Sequence, residues 1–343
     1  MLIVICGAGA SYDSIWSRPP VSGGHDESRP PLMRDIFKQP IFELAATCFG
    51  ITPANIERLR NCDFIEDQLE DLREENTPES KRQLMAIRWY LQVNIATCGR
   101  DWTSKEDRLN HNVLIDKIEA NFKDGGPVCF VTFNYDLLIE HALKSRTTPV
   151  LFNNFNAYWN QSTYKLFKPH GSVNWSREIT APMFENFETQ DQLKLALTVI
   201  DRAAEIEFGS LYNLQNEYVS TVERPIGWNG PMKNAMVPAI AIPATGKRGF
   251  VCPPEHVPQI RQCAVAATKV LIIGSQAREG HFFSLLAKNT RRLIIAVACG
   301  GRGEADRVVD RLKAYRIKAD FLPTGDGFSN LVAGTSIEEF LRA

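Results

Sequence analysis

The sequence predicts an α/β protein with a doubly wound parallel sheet, and two observations favour this fold class. First, short apolar runs rich in Val and Ile recur along the chain without the alternation of a half-exposed strand. Second, amphipathic helical patterns follow several of these runs, which is the order of strand, crossover helix and parallel strand. We therefore expect a buried sheet covered by helices, with further helical segments inserted between its strands.

Four apolar runs are predicted to be buried strands, and a weaker run is predicted to be a fifth. These runs are Leu2–Cys6, Val128–Thr132, Val270–Ile273, Leu293–Ala298 and, as the weaker one, Ala319–Leu322. Three helical patterns come directly after predicted strands, at Tyr135–Lys144, His281–Lys288 and Ala305–Tyr315. This alternation indicates parallel strands joined by crossover helices.

Helical periodicity also marks segments that lie between the predicted strands. They are Phe64–Glu75, Glu79–Ala96, Asn112–Phe122 and Gln190–Phe208. We assign residues 1–31 and 128–343 to the sheet domain, 32–127 to a helical insertion and 176–236 to a second, mostly helical insertion. The insertions are expected to form a second layer, and the Pro- and Gly-rich segment Ser17–Pro31 a loop over the ligand crevice.

The charge balance of the 343-residue chain is nearly even, with 39 Lys and Arg against 40 Asp and Glu. A net charge of -1 gives no electrostatic reason to expect nucleic acid or an anionic membrane as a direct partner. No apolar stretch approaches the roughly 18 residues that span a bilayer, and no secretory signal is predicted. The eight cysteines include no C-x-x-C pair, so we expect no zinc site and a reduced, cytoplasmic location.

The first motif is the Gly- and Ala-rich segment Gly7–Ser11, which directly follows the first predicted strand. Glycines at this position let the backbone approach a ligand, and the N-terminus of the next helix favours a pyrophosphate. The segment is shorter than the full G-x-G-x-x-G pattern, so a tight turn without a ligand is the alternative.

The second motif is Thr132-Phe133-Asn134-Tyr135-Asp136, at the end of the second predicted strand. The carboxyl ends of parallel strands face the ligand crevice of open α/β sheets, so Asn134 and Asp136 are candidates for a site there. The alternative is that one of these two side chains caps the helix that follows.

Two further motifs complete the set. His170 lies between Pro169 and Gly171, which restrict the local backbone and favour the rigid placement that a general base requires. A lone histidine is nevertheless more often structural than catalytic. Gly274 and Ser275 follow the strand at Val270–Ile273 and could border a ribose or a phosphate.

Taken together, the four motifs resemble the sirtuin family in kind and in order: GAG-x-S, T-x-N-x-D, a histidine followed by glycine, and G-S. TFNYD followed by KPHGSVNW resembles most closely the sirtuin-like NAD-hydrolysing effectors of bacterial antiviral defence. The resemblance covers the sheet-forming parts, about half of the chain. The chain departs from protein-deacetylating sirtuins in lacking a four-cysteine zinc module and a G-I-P-D-F-R segment, and in having Phe133 where they have glutamine. These departures argue against peptide deacetylation.

The resemblance implies a Rossmann-like domain that binds NAD as a substrate and cleaves its nicotinamide–ribose bond with water. Cleavage creates an oxocarbenium-like ribose, so the site must position NAD and stabilise the developing positive charge. By resemblance, Asn134 would orient the ribose and the attacking water, His170 would act as base, and Asp136 would contact the nicotinamide amide. The implied cofactor-binding set, without a metal, is Gly7, Ala8, Gly9, Ser11, Thr132, Asp136, Gly274 and Ser275. Within it Gly7, Gly9 and Ser11 would hold the pyrophosphate, with help from Ser275.

Other functions stay open on the same scaffold. They are an NAD-dependent deacylase, an ADP-ribosyltransferase and a non-catalytic sensor of NAD or ADP-ribose. A dehydrogenase is disfavoured, because Asp26 and Glu27 lie in a Pro/Gly loop and not at the end of a second strand. An unrestrained NAD hydrolase would be toxic, so we expect a homo-oligomer with a separate regulatory partner. By resemblance, a HerA-type ATPase or an Argonaute-like protein would fit that role.

Overall fold

The computed structural model describes residues 1–18, 20, 29–105, 108–123, 125–180, 192–214, 234–244, 249–324 and 327–343. Two compact units divide the chain. The first comprises Met1–Pro30, Asp101–Pro169 and Pro254–Ala343, and the second Pro31–Arg100 and His170–Pro253. Most of the predicted loop Ser17–Pro31, including Asp26 and Glu27, lies outside the described residues.

The described residues form nine strands: β1 (Leu2–Cys6), β2 (Val128–Thr132), β3 (Tyr164–Phe167), β4 (Gly171–Thr180), β5 (Glu207–Leu214), β6 (Asn234–Ile240), β7 (Lys269–Ile273), β8 (Leu293–Ala298) and β9 (Ala319–Pro323). The α-helices are α1 (Ala8–Tyr12), α2 (Ile41–Cys48), α3 (Pro53–Asn61), α4 (Ile65–Glu74), α5 (Pro78–Thr103), α6 (Asn110–Asn121), α7 (Leu138–Lys144), α8 (Gln192–Asp201), α9 (His256–Ala266), α10 (Gly280–Leu286), α11 (Arg302–Ala314), α12 (Phe328–Ala333) and α13 (Ser336–Arg342). Short 3₁₀ helices cover Met33–Lys38, Phe155–Tyr158 and Ala203–Glu205. In this described part of the chain, no helix is both long and apolar enough to cross a membrane.

The first unit is built on a six-stranded parallel sheet in the order β3-β2-β1-β7-β8-β9. This is the strand order of Rossmann-like, doubly wound sheets, so the predicted fold class is confirmed. Strands β1, β2 and β7 are buried at every residue, because helices cover the sheet. Helices α9, α10 and α11 share one hydrophobic cluster with these strands. The strand order reverses between β1 and β7, and ligands bind outside the carboxyl ends at such a point.

The predicted strands are confirmed, with end shifts of one residue at β7 and at β9. Strand β3 is not among the predictions, because a four-residue run that contains a lysine carries little apolar signal. Helix α7 begins at Leu138 and not at Tyr135, since residues 133–137 form a turn after β2.

The second unit contains a three-stranded antiparallel sheet in the order β5-β4-β6, together with α2–α4, most of α5 and α8. The described residues of 176–236, which was predicted to be a mostly helical insertion, contain strand as well as helix. The helix of Gln190–Phe208 ends at Asp201, and a strand begins at Glu207. Strand β6 includes Pro238, a residue that argues against a strand in sequence but is tolerated on an edge strand such as this one.

Candidate active site

The turns after β1 and β7 lie against each other at the point where the strand order reverses. The Gly7 N–H donates to the Ile273 carbonyl at 3.0 Å, and the Gly9 N–H donates to the Gly274 carbonyl at 2.9 Å. A Cβ on Gly7 would lie 2.6 Å from the Gly274 carbonyl oxygen, so only glycine fits there. This close backbone approach accounts for the glycines, and both N–H groups are used within the protein.

Gly274 has a φ of +59° and lies on the β7 side of the contact between the two turns. A Cβ on Gly274 would lie 2.2 Å from the Ala10 backbone nitrogen. Ser275 is buried, and its Oγ accepts from the Ala277 N–H at 3.1 Å. The predicted Gly-Ser turn is therefore part of the packing that shapes this edge of the sheet.

The turn after β2 is held by side-chain hydrogen bonds. Thr132 Oγ1 donates to the Cys6 carbonyl at 3.3 Å and accepts from the Asn134 N–H at 3.1 Å. Since Thr132 is buried with its hydroxyl used in this way, its contacts fix the turn against β1.

The Asn134 carboxamide has one orientation in this turn. Its Nδ2 donates to the Gly7 carbonyl at 2.8 Å and to Ser11 Oγ at 2.7 Å. A carboxamide has two N–H groups, so both are used. The Oδ1 atom accepts no hydrogen bond from the described residues, and Asn134 is only half-buried. The protein thus presents an oriented acceptor at the carboxyl end of β2.

Asp136 uses both carboxylate oxygens inside the protein. Oδ2 accepts from Ser11 Oγ at 2.6 Å, and Oδ1 accepts from the N–H of Leu138, the first residue of α7, at 3.1 Å. Asp136 and Ser11 are both buried. The bond to Leu138 supports the helix-end role that the sequence left open for Asp136. The bond to Ser11 links this carboxylate to Asn134.

A buried ion pair lies beside the same turn. Lys168 directly follows β3, is fully buried and donates through Nζ to Glu140 Oε1 at 3.0 Å. The same Nζ donates to the backbone carbonyl of Asp136 and, at 3.5 Å, to that of Tyr135. Burial raises the pKa of Glu140, and the Lys168 charge opposes that increase. Lys168 has no role in the sequence prediction, because β3, the strand that it follows, was not predicted.

His111 is a second residue that the sequence analysis missed. It lies near the start of α6, buried, with its ring edge-on to Phe328 at a centroid distance of 5.0 Å. Burial lowers the pKa of His111 to about 4, and the negative charge of Asp136 acts in the opposite direction. Its Nδ1 has no hydrogen-bond partner among the described residues. His111 is therefore a buried, neutral imidazole at neutral pH.

His170 belongs to the second unit, whereas the other nine predicted site residues belong to the first. It is buried, and its carbonyl accepts from the Ala241 N–H at 2.8 Å. Gly171, the next residue, has a φ of +84°, and a Cβ there would lie 1.8 Å from the Ala239 carbonyl oxygen. Only glycine can follow His170 here, so the backbone of this turn is fixed.

The described residues contain no group of three or more His, Cys, Asp or Glu side chains that could hold a metal ion. The donor set at the carboxyl end of β2 instead consists of a carboxamide, a hydroxyl and a carboxylate. Of these groups, Asn134 Oδ1 is the acceptor that no described residue uses, and it suits a hydrogen bond from a ribose hydroxyl or a water molecule. The carboxyl end of β2 is therefore the candidate site for a ribose-containing ligand.

Comparison with known families supports this assignment. A model of the SIR2-like domain family matches residues 128–203, a stretch that begins with β2 and includes Asn134, Asp136 and His170. SIR2-like domains bind NAD, so the match supports a sirtuin-like family and an NAD-related activity in general. The chain has no significant match among curated proteins.

Proposed function

We propose that this protein is an NAD hydrolase that cleaves the nicotinamide–ribose bond and releases nicotinamide and ADP-ribose. The observation that carries the proposal is the Asn134 carboxamide, whose two N–H groups are used by Gly7 and Ser11 while Oδ1 stays available as an acceptor. A fixed acceptor at a strand end can orient a ribose hydroxyl or a water molecule. The family match over the same turn supports NAD as the source of that ribose.

The chemistry requires little acid catalysis, because nicotinamide leaves NAD⁺ as a neutral molecule. The C–N bond breaks with its electron pair going to nicotinamide, and a cationic ribose develops. Water then adds to the anomeric carbon and loses a proton. In this proposal, Asn134 Oδ1 holds the ribose hydroxyl or the water, and Asp136 contacts the nicotinamide amide, by family resemblance. His170 is proposed as the base, by family resemblance.

The decisive experiment incubates the purified full chain with NAD and measures nicotinamide and ADP-ribose by chromatography. Asn134→Ala is expected to abolish product formation. Asn289→Ala is the matched control, because Asn289 Nδ2 also donates two hydrogen bonds, in this case to the backbone carbonyls of Ala264 and Ala267 at 3.0 and 2.9 Å. Its Oδ1 accepts from the Arg291 N–H, so it has no acceptor left for a substrate. The control should lose stability and keep its turnover number.

Each alternative has its own signature in the same experiment. Transfer of ADP-ribose to a protein would indicate an ADP-ribosyltransferase in place of a hydrolase. Removal of an acyl group from lysine would indicate a deacylase. Saturable NAD binding without product, in the presence of candidate partners as well, would indicate a sensor and overturn the proposal.

We also propose that the protein is the NAD-depleting effector of a bacterial antiphage defence system, controlled by assembly. In this proposal, the isolated chain is a homo-oligomer with low basal activity, and a HerA-type ATPase or an Argonaute-like protein raises it. Light scattering at micromolar concentration, paired with nicotinamide release with and without each candidate, tests both parts. A monomer that hydrolyses NAD at full rate alone would overturn the regulatory proposal and leave the catalytic one standing.

A further inference from the structure

Lys168 occupies a costly position for a charged residue. Lysine is almost never fully buried unless paired, and Lys168 is fully buried beside Glu140. Buried ion pairs rarely add net stability, since apolar residues of similar volume often serve as well. A contribution to stability therefore does not explain why a Lys–Glu pair is buried at this position.

The second observation is where the ammonium directs its remaining hydrogen bonds. The backbone from Phe133 to Leu137 lies between β2 and α7, outside any regular helix or strand, so its carbonyls need other donors. Lys168 Nζ donates to the carbonyls of Asp136 and Tyr135. These two carbonyls follow Asn134 directly along the chain. The side chain of the residue that follows β3 thus holds the backbone of the turn that presents the candidate catalytic carboxamide.

We infer that Lys168 is a positioning residue for NAD cleavage, holding the turn 133–137 through its carbonyls, and that Glu140 serves as the counter-ion. This inference rests on the proposed function for its kinetic part. Tyr158 supports the pair, since its hydroxyl donates to Glu140 Oε1 at 3.4 Å. Lys168 itself touches no reacting atom in this scheme. It acts through the direction in which Asn134 Oδ1 points.

The two halves of the pair can be separated by two variants. Lys168→Met/Glu140→Leu removes both charges and keeps apolar bulk, so the folded state is retained. The turn carbonyls nevertheless lose their donor, and kcat should fall about 100-fold, the usual cost of a misplacement of about 1 Å. Glu140→Gln keeps Lys168 and its carbonyl bonds. It should lower the urea midpoint of unfolding and leave kcat within about threefold.

Lys269→Met is the matched control. Lys269 is also buried and donates from a strand residue to a backbone carbonyl, that of Leu341 at 2.8 Å. It lies at the start of β7, at the opposite end of the sheet from the candidate site. Its loss should cost stability and leave kcat and the KM for NAD unchanged.

A readout independent of activity is amide hydrogen exchange. The Asn134 and Leu138 N–H groups bond to Thr132 Oγ1 and Asp136 Oδ1, and both bonds depend on the shape of the turn. Exchange in this segment should quicken in Lys168→Met/Glu140→Leu and stay at the wild-type rate in Lys269→Met. If wild type cleaves no NAD, the proposed function fails, while the exchange result still decides whether Lys168 holds the turn.

We expect opposite effects in the two variants. Lys168→Met/Glu140→Leu should be stable and have a low kcat, whereas Glu140→Gln should be less stable and have a nearly normal kcat. Wild-type kcat and wild-type exchange in the double variant would overturn the inference. A double variant that loses activity only through unfolding, with the folded fraction fully active, would likewise assign the pair a purely structural role.

Discussion

The two turns that carry the proposed catalytic residues are held in place by different kinds of contact. The turn after β2 has one backbone bond, from the Phe133 N–H to the Cys6 carbonyl at 3.1 Å, and otherwise depends on side chains: Ser11, Thr132 and Lys168 bind it, and Asn134 and Asp136 complete the network. The turn at His170 depends on backbone, with a positive φ at Gly171 and a carbonyl that would meet any Cβ. Side-chain networks can be weakened one hydrogen bond at a time, whereas a backbone contact of this kind either exists or is lost.

The largest expected effect is on turnover, at Asn134. Asn134→Ala should lower kcat by about 10²–10⁴-fold, because the oriented acceptor is lost while the fold is kept. Asn134→Asp keeps an acceptor, but its carboxylate would face the Gly7 carbonyl without a proton to donate. It should therefore also lose most activity. Steady-state nicotinamide release, with circular dichroism as a check on folding, measures both. Turnover near wild type in either variant would remove Asn134 from the mechanism.

The next effect is on stability, at Gly171. Gly171→Ala should lower the free energy of unfolding by about 4 kcal/mol or more, because the added Cβ collides with the Ala239 carbonyl. Gly125→Ala is the control, since Gly125 has a φ of +69° with nothing within 4 Å of the added Cβ. It should cost only about 1 kcal/mol for the backbone conformation. Urea unfolding measures the free energy of unfolding of both variants. Equal decreases would show that the positive φ, and not the collision with the Ala239 carbonyl, accounts for the cost of an alanine at position 171.

A third effect is a dependence of stability on pH that arises in the first unit. Burial lowers the pKa of His111 and of His256 to about 4, so both are neutral when folded and take up protons on unfolding below pH 6.5. The free energy of unfolding should therefore fall between pH 7 and pH 5, by about 2 kcal/mol per histidine. Glu140, whose pKa is raised by burial, contributes with the opposite sign.

His256→Phe isolates the histidine contribution, because its aromatic neighbours Phe155, Tyr158 and Phe167 accommodate another ring. The variant should show a shallower pH slope than wild type in urea titrations at pH 5, 6 and 7. Parallel slopes for the two proteins would contradict the assignment.

The smallest effect tests one bond in the network. Ser11→Ala removes the hydroxyl that links Asn134 to Asp136 and should lower kcat about tenfold, with Asn134 still anchored by Gly7. Ser145→Ala is the control, since the Ser145 hydroxyl also accepts from a carboxamide, Asn112 Nδ2 at 2.7 Å, and donates at 3.0 Å to a carbonyl. Its kcat should equal that of wild type. A complete loss of activity in Ser11→Ala would mean that the side-chain network fails as a unit.

Much of the first unit could be predicted from sequence, because its signals are local. Buried parallel strands appear as continuous apolar runs, and the turn residues follow them directly, as at Asn134 and Gly274. In the second unit, periodicity indicated helices α4, α5 and α8, but its strands were not predicted. Strand β5 has no strongly buried face, and β6 contains Pro238 and pairs with β4 through a register shift. The strands of this unit are recognised only from their hydrogen-bonded pairing in the tertiary structure.

By itself, the sequence determined five of the six strands of the parallel sheet, the order of the motifs and the motif residues that stand at the ends of those strands. Tertiary structure decided which of those residues meet. Ser11 and Asp136 are 125 positions apart, and Lys168 and Glu140 are 28 apart, so no local pattern predicts that they bond. Tertiary structure also decided that the Gly7 and Gly9 N–H groups bind neighbouring backbone. Periodicity reports which face of an element is buried, whereas hydrogen-bond partners depend on how distant elements are brought together.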